Sequence, residues 1–247
     1  MPTPLTFVGI PDWRSAVLAL AFLIPWLLLL ASRWTRNPSL WAAIIASAVL
    51  FPLSIALVQV PLQQAIGSGI VALVGVETAR NLVLVAGIPG LLVASLVQEG
   101  TKLLVAIAAL KLSRSEVGPL AGLGYGAASG AGYGGFEAFW VFNQIFAAGF
   151  SWAVVQISGF GALLGFIERF FTVPLHIGAT AIAGYGYGAG RTWRFFLAAV
   201  LLHTAANYGA LLYQSQLANI IVVEVWVAAI SLVAIGSALW LRFHRQR

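Results

Sequence analysis

The chain has no cysteine among its 247 residues, which excludes disulfides, thiol catalysis and cysteine-ligated metal sites. Its only aspartate is Asp12, so no pair of catalytic aspartates can form. A His-Glu-x-x-His sequence is also absent, which removes the usual zinc-binding helix of metal-dependent proteases. Charged residues make up only 8% of the chain, against about a quarter in an ordinary soluble domain. Most of the chain is therefore built for a solvent other than water.

Apolar residues dominate instead, at 61% of the total, in runs long enough to cross a bilayer as helices. We expect an all-α fold, a polytopic transmembrane bundle of about seven to eight helices. The half-polar residues 61–81 suit a surface helix or a re-entrant loop that gates a cavity. The fifth run is too long for one crossing, and we expect a break between Ser158 and Gly165. The predicted spans lie near 16–31, 40–60, 83–110, 118–147, 155–189, 193–213 and 219–241.

The basic residues predict the orientation of this single integral membrane domain, residues 1–247. Lys and Arg tend to stay in the cytoplasm, and four groups of them fall on alternate loops, all on one side. This predicts that the N-terminus is outside and the C-terminus cytoplasmic, with only Arg14 and Arg80 on the outer face. The net charge of +6 follows from this topology, and no basic patch has the arrangement of a nucleic-acid site. The groups are Arg33 with Arg36, Lys111 with Arg114, Arg191 with Arg194, and Arg242 with Arg245 and Arg247.

A set of ionisable residues remains inside the membrane once the loop charges are set aside. A charge at mid-bilayer costs about 2.5–3.5 kcal/mol on insertion scales, so each needs a partner or a polar cavity. Because these residues come from consecutive spans, we expect a shared polar interior within a catalytic-like core over residues 83–213. Residues 16–60 and 219–241 would form accessory helices. The embedded set is Glu99, Lys102, Glu137, Glu168, Arg169, His176 and His203.

Two of these spans carry carboxylates at informative positions. Glu99 and Lys102 are three residues apart, which places them on one helix face, where they can form an ion pair. In the next span, glycines from Gly122 to Gly134 recur every four residues, a pattern that lets a neighbouring helix approach closely. Glu137 follows on nearly the same face, and no basic residue lies within one helical turn of it. Packing needs no carboxylate there, so Glu137 is a candidate functional residue.

The following two spans add polar side chains at helical spacing. Arg169 and His176 are seven residues apart and share a face, and Pro174 permits a bend near the histidine. His203 and Asn207 are four residues apart on one face. An asparagine amide can donate to an anionic oxygen, and a neutral histidine can donate or accept. Such a pair serves either as a clamp between helices or as half of an active site.

Together these side chains match the needs of peptide-bond hydrolysis, namely a base that activates water and donors for the oxyanion. Ser129 offers a serine nucleophile as an alternative, although serine in a glycine-rich span is usually a packing residue. In a second alternative, His176, His203 and Glu137 hold a zinc ion with an open position for water.

Four segments, QEGTK, GAGYGGFEAFW, ERFFTVPLH and LHTAAN, follow one another on successive helices. In this order they resemble the glutamic-type intramembrane protease superfamily, which includes the PrsW-like and YhfC-like bacterial families and the CAAX prenyl endopeptidases. The similarity covers roughly residues 95–212, and the GGFE form looks closer to the YhfC-like branch. The resemblance implies an integral protein of a prokaryotic plasma membrane. It would hydrolyse a membrane-anchored protein or peptide within the lipid bilayer, without a metal cofactor.

Carried over residue by residue, the resemblance implies an active site built from five side chains. Glu137 or Glu99 would polarise water together with His176, while His203 and Asn207 would stabilise the tetrahedral oxyanion. By helix direction, Glu137 and His176 fall in the outer half of the membrane, so the cavity should open outward.

Four further residues would support this site. Lys102 and Arg169 would set the local field, with Glu168 as the partner of Arg169. Gln98 stands where relatives carry the first glutamate of a pair. Either another glutamate has taken over that role, or the chain binds without cutting. Two other classes stay open, a transporter and an inactive scaffold that grips a partner helix, although no inverted repeat supports the transporter.

Overall fold

The computed structural model describes Phe7 and residues 10–114 and 116–244. Every regular element in this part of the chain is a helix, which confirms the all-α prediction. The helices are α1 Trp13–Ala31, α2 Pro38–Ser54, α3 Val60–Val74, α4 Val76–Asn81, α5 Val83–Ala86, α6 Ile88–Leu112, α7 Pro119–Ala147, α8 Trp152–Ser158, α9 Leu164–Gly188, α10 Thr192–Gln214 and α11 Ile220–His244.

Helices occupy all the predicted spans. One of them, α7, is rich in glycine and is not among the stretches that length and hydropathy alone mark as membrane spans. Every residue of α7 from Ala121 to Gly135 is buried, so this helix is the centre around which the others pack. Among the described residues, 6 helical stretches are long and apolar enough to cross a membrane: Trp13–Trp34, Pro38–Val74, Val83–Leu112, Trp152–Gly188, Thr192–Gln214 and Ile220–His244.

The expected break in the fifth span is confirmed. Helix α8 ends at Ser158, and a 3-10 turn over Gly159–Leu163 separates it from α9. Gly159 has φ +63, a left-handed conformation that glycine adopts without steric cost. The short α8 is mostly exposed, as befits a segment outside the packed bundle.

Residues 61–81 do not begin the separate surface helix or re-entrant loop that the sequence suggested. Helix α2 runs on through a π-helical stretch, Ile55–Gln59, directly into α3. A π turn inserts one residue without interrupting the backbone hydrogen bonding, and such turns are frequent at functional sites. The continuous helix ends only at Gly75, where φ is +82. No local signal in the sequence distinguishes this continued helix from a new one.

The glycines of α7 bring α9 into backbone contact. A Cβ built on Gly126 would lie 2.3 Å from the carbonyl oxygen of Thr180, and one on Gly130 would lie 2.4 Å from that of His176. Only glycine leaves room for such an approach, so the predicted role of the ladder is confirmed. Its consequence is that α7 fixes the backbone position of His176.

The two ends of the bundle carry different residues. At one end, Trp34 lines a surface hollow with Glu116 and Tyr185, and the Arg242 guanidinium lies 5.8 Å from the Trp34 ring. At the other end, the Asp12 backbone N–H donates to Asn143 Oδ1 at 3.0 Å. The basic groups predicted to be cytoplasmic adjoin the first end. Arg245 and Arg247, which belong to the last of these groups, lie outside the described residues. The assignment of this end to the cytoplasmic side stays a prediction.

Candidate active site

A cavity of about 480 Å³ lies among α6, α7, α9, α10 and α11 and the stretch where α2 continues into α3. Its walls combine apolar side chains with an unusual number of polar ones. The predicted accessory helices contribute to it as well as the predicted core. The polar residues that line it are Gln59, Gln63, Gln98, Glu137, Glu168, Arg169, Thr172, His176, His203, Asn207, Tyr213 and Glu224.

Behind the cavity wall, Glu99 and Lys102 form the predicted ion pair. Lys102 Nζ lies 2.6 Å from Glu99 Oε1, and both side chains are 0% exposed. The carboxylate has two more partners, because Thr180 Oγ1 donates to its Oε2 at 3.0 Å and His203 Nδ1 lies 2.7 Å from its Oε1. The ammonium also lies 5.3 Å from the centre of the Tyr133 ring. Glu99 is thus enclosed by partners and does not line the cavity.

His176 connects this buried pair to the cavity. Its Nδ1 lies 2.9 Å from Lys102 Nζ. An ammonium group can only donate, so Nδ1 accepts and the proton of a neutral imidazole is carried by Nε2. That nitrogen lies 2.7 Å from Glu137 Oε2. The imidazole therefore bridges the Lys102 ammonium and the Glu137 carboxylate.

Glu137 finds its basic partner on another helix. Arg169 Nη1 donates to Glu137 Oε1 at 2.9 Å, and Nη2 of the same guanidinium donates to Glu168 Oε1 at 2.5 Å. The predicted pairing of Arg169 with Glu168 is thereby confirmed. Glu137 Oε2 is buried and, despite its proximity to His176, receives no aligned hydrogen bond from the described residues. Because a carboxylate oxygen has two electron pairs, Oε2 can accept a further hydrogen bond.

His203 and Asn207 both line the cavity, as their spacing predicts. Because Nδ1 of His203 is held by Glu99, its Nε2 is the ring nitrogen left for other partners. The His203 and His176 rings lie 5.0 Å apart at 85°. Side chains from α7, α9 and α10 therefore meet at one place, with Glu99 and Lys102 of α6 behind them.

Gln98 belongs to a chain of side-chain amides along one wall. It donates through Nε2 to Gln59 Oε1 at 2.9 Å, and Gln59 donates in turn to Gln63 Oε1 at 3.2 Å. Gln63 then donates to the Gly90 carbonyl at 3.0 Å. Gln98 thus takes part in the cavity wall and forms no pair of carboxyl groups with Glu99.

Several residues of this region were not among the sequence-derived candidates. Thr180, Gln59 and Gln63 carry no charge and so fall outside the set of embedded ionisable residues. Glu224 is different, because it is the only acidic residue of its span. An ionisable residue inside a membrane span is what identified the other embedded residues, and Glu224 is one as well. Its Oε2 is buried with no hydrogen-bond partner among the described residues.

Ser129 is a packing residue and does not line the cavity. Its hydroxyl donates to the Lys102 carbonyl at 2.7 Å and lies 2.6 Å from the hydroxyl of Ser47. Its side chain is fully buried between α2, α6 and α7. The geometry therefore gives no support to a serine nucleophile.

A metal ion is a further possibility for this group. Glu99, His176 and His203 offer ligand atoms that all lie within 4.8 Å of one another, and two histidines with one glutamate are the ligands of many catalytic zinc sites. The zinc site suggested by the sequence had Glu137 as its carboxylate ligand, whereas the group in the structure has Glu99. The residue types thus fit a metal, and the expectation of a site without a cofactor gains no support from them. The arrangement fits less well, because Lys102 already bonds to Glu99 Oε1 and His176 Nδ1.

Comparison with known families gives a match over residues 142–227 to the model described as YhfC intramembrane metalloprotease. The matched region contains Arg169, His176, His203 and Asn207, and the resemblance to YhfC-like proteins is thereby confirmed. The description is that of a membrane protease, and the metal dependence it names differs from the glutamic type implied by the wider resemblance. No curated protein and no solved structure matches the chain.

Proposed function

We propose that the chain is an intramembrane endopeptidase in which Glu137 and His176 activate the water that hydrolyses a peptide bond. The observation that carries this proposal is the convergence of Glu137, His176, His203 and Asn207 on one cavity between membrane helices. A base and oxyanion donors at one location are what hydrolysis requires.

Glu137 acts as the general base. Its carboxylate lines the cavity, and its oxygens carry electron pairs that can accept a proton from water. The water oxygen attacks the peptide carbonyl carbon as its proton passes to Glu137. The same proton is then delivered to the leaving nitrogen as the C–N bond breaks. His176, 2.7 Å from this carboxylate, holds it in place and orients the water.

His203 and Asn207 stabilise the tetrahedral oxyanion. The Asn207 amide supplies a neutral N–H donor. The Glu99 carboxylate, 2.7 Å from His203 Nδ1, holds the ring and leaves its Nε2 as the nitrogen that faces the same oxygen. Glu99 is then a positioning residue and not the base, because it is 0% exposed and enclosed by Lys102, Thr180 and His203.

The substrate is a membrane-anchored protein or peptide whose chain unwinds locally in the cavity. An unwound segment in a membrane needs hydrogen-bond partners for its peptide groups. The amides of Gln98, Gln59 and Gln63 supply both donors and acceptors along the cavity wall. The membrane concerned would be the plasma membrane of a prokaryotic cell, with the cavity open outward.

A zinc-dependent peptidase is the second candidate. It is favoured by the spacing of Glu99, His176 and His203 and by the description of the matching family. A zinc ion in such a site supplies an activated water and polarises the carbonyl oxygen. In this version Lys102 would have to withdraw from Glu99 and His176.

The experiment is cleavage of membrane-spanning peptides by protein reconstituted in vesicles, in water enriched in ¹⁸O. Hydrolysis places one ¹⁸O in the new carboxyl group, which mass spectrometry detects. We expect His176→Ala to slow cleavage by about 10²- to 10⁴-fold and Asn207→Ala by about 10²- to 10³-fold. Glu77→Gln, on the exposed α4, is the matched control and should cleave like the unmodified protein.

Two outcomes bear on the proposal in different ways. If His176→Ala and Asn207→Ala both cleave as fast as the control, the proposed site is wrong. If the unmodified protein loses activity in chelator and recovers it with zinc, the zinc-dependent candidate replaces the metal-free one.

A further inference from the structure

We propose that Lys102 is a built-in cation that takes the place of a metal ion, so that the native site is metal-free and loss of Lys102 creates a zinc site. The inference deepens the proposed function by defining its catalytic type. It stands on the contacts of Lys102 with two of the three candidate metal ligands.

The ammonium and a metal would compete for the same electron pairs. Lys102 Nζ lies 2.6 Å from Glu99 Oε1 and 2.9 Å from His176 Nδ1. Zinc binds carboxylate oxygen and imidazole nitrogen at about 2.0–2.2 Å through those same electron pairs. A metal therefore cannot take these two atoms while the ammonium holds them.

The other nitrogen of His176 gives no way around this conflict. A neutral imidazole has one proton, and the ammonium at Nδ1 directs that proton to Nε2. For a metal to bind Nε2, the proton would have to sit on Nδ1, facing the ammonium donor. Lys102 thus controls both ring nitrogens of His176.

The charge balance favours the same conclusion. With Lys102 protonated, the Glu99 carboxylate is already neutralised within a fully buried group. A dication added there would bring two uncompensated charges into surroundings of low dielectric, which is strongly unfavourable. Without the ammonium, the group consists of one carboxylate and two imidazoles, which is the charge of a two-histidine, one-glutamate zinc site.

Lys102 has little freedom to withdraw. Its side chain is 0% exposed and lies 5.3 Å from the centre of the Tyr133 ring. Its backbone carbonyl accepts the Ser129 hydroxyl at 2.7 Å, which ties α6 to α7 at this residue. The lysine is therefore part of the packed core and not a mobile arm.

The test is metal binding by the purified full chain in detergent, with Zn²⁺ and Co²⁺ as the probes. We expect Lys102→Met to bind one Zn²⁺ per chain at least 100-fold more tightly than the unmodified protein. With Co²⁺ it should show the visible absorption of a tetrahedral ion. The double variant Lys102→Met with His203→Ala removes one ligand and should lose both signals. Zn²⁺ should raise the thermal unfolding temperature of Lys102→Met and leave that of the unmodified protein unchanged.

The inference is overturned if Lys102→Met binds Zn²⁺ no more tightly than the unmodified protein. It also fails if the unmodified protein, isolated without chelator, holds one zinc per chain that is lost in His203→Ala. The second measurement needs no change at Lys102 and stands even if Lys102→Met does not fold. Because metal content is measured apart from cleavage, a zinc-containing protein that still hydrolyses peptides would refute this inference and leave the peptidase intact.

Discussion

A methyl group added at Gly130 should damage both the stability and the activity of the protein. The Cβ of Gly130→Ala would lie 2.4 Å from the His176 carbonyl oxygen and 2.8 Å from Ile177 Cα. Carbon contacts are favourable only at about 3.5–4.0 Å, so α7 and α9 must separate by about 1 Å. Such overpacking costs about 1–3 kcal/mol, whereas replacing glycine within a helix returns about 0.5–1 kcal/mol. We expect a net loss of about 1–2 kcal/mol from these two terms.

The effect on activity should be larger than the effect on stability. His176 moves with the α9 backbone, and its contacts of 2.9 Å to Lys102 and 2.7 Å to Glu137 cannot both survive a shift of that size. A misplacement of about 1 Å at a reactive centre can reduce the rate by about 10²-fold. Thermal unfolding in detergent and peptide cleavage in vesicles measure the two effects separately.

Gly236→Ala is the matched control for this variant. Gly236 lies in α11, is exposed, and would have nothing within 4 Å of its added Cβ. This variant should be as stable as the unmodified protein or slightly more so, with full activity. If Gly130→Ala unfolds and cleaves like Gly236→Ala, then close α7–α9 packing does not position His176.

Three further changes test other parts of the structure. Thr180→Val removes a hydrogen bond to the buried Glu99 carboxylate and should cost about 1.5–3 kcal/mol by thermal unfolding. Thr101→Val, whose hydroxyl bonds only within its own helix, should cost less. Glu224→Leu removes a buried oxygen without a hydrogen-bond partner among the described residues and should stabilise the protein by about 1 kcal/mol; a lower unfolding temperature would show that this carboxyl is needed. Ser129→Ala should keep its peptide cleavage, and loss of cleavage with an unchanged unfolding temperature would restore the serine mechanism.

Local spacing was sufficient to predict part of this structure. Glu99 and Lys102 are three residues apart on one helix and form the ion pair that this spacing predicts. His203 and Asn207 are four residues apart, and both line the cavity. The long fifth apolar run predicted its own interruption after Ser158. Each of these features depends on residues within a few helical turns, where helix geometry alone determines the outcome.

The contacts that define the candidate site depend on tertiary packing instead. Arg169 reaches Glu137 across 32 positions of the chain, and His203 reaches Glu99 across 104. No spacing rule predicts which carboxylate a given cation will approach when both lie on packed helices. The position of Lys102 at the Nδ1 atom of His176 is of the same kind. For this reason the sequence left open which glutamate is the base.

The most direct test of the account is the rate at which Glu137→Gln cleaves a membrane-anchored peptide, compared with that of Glu77→Gln. Glutamine keeps the size of the side chain and an oxygen that can accept the Arg169 hydrogen bond, but it cannot take a proton from water. We predict a rate per folded molecule at least about 10²-fold lower for Glu137→Gln. Thermal unfolding measures the folded fraction, because this variant also loses the ion pair with the buried Arg169. Equal cleavage rates for the two variants would contradict the role of Glu137 as the base.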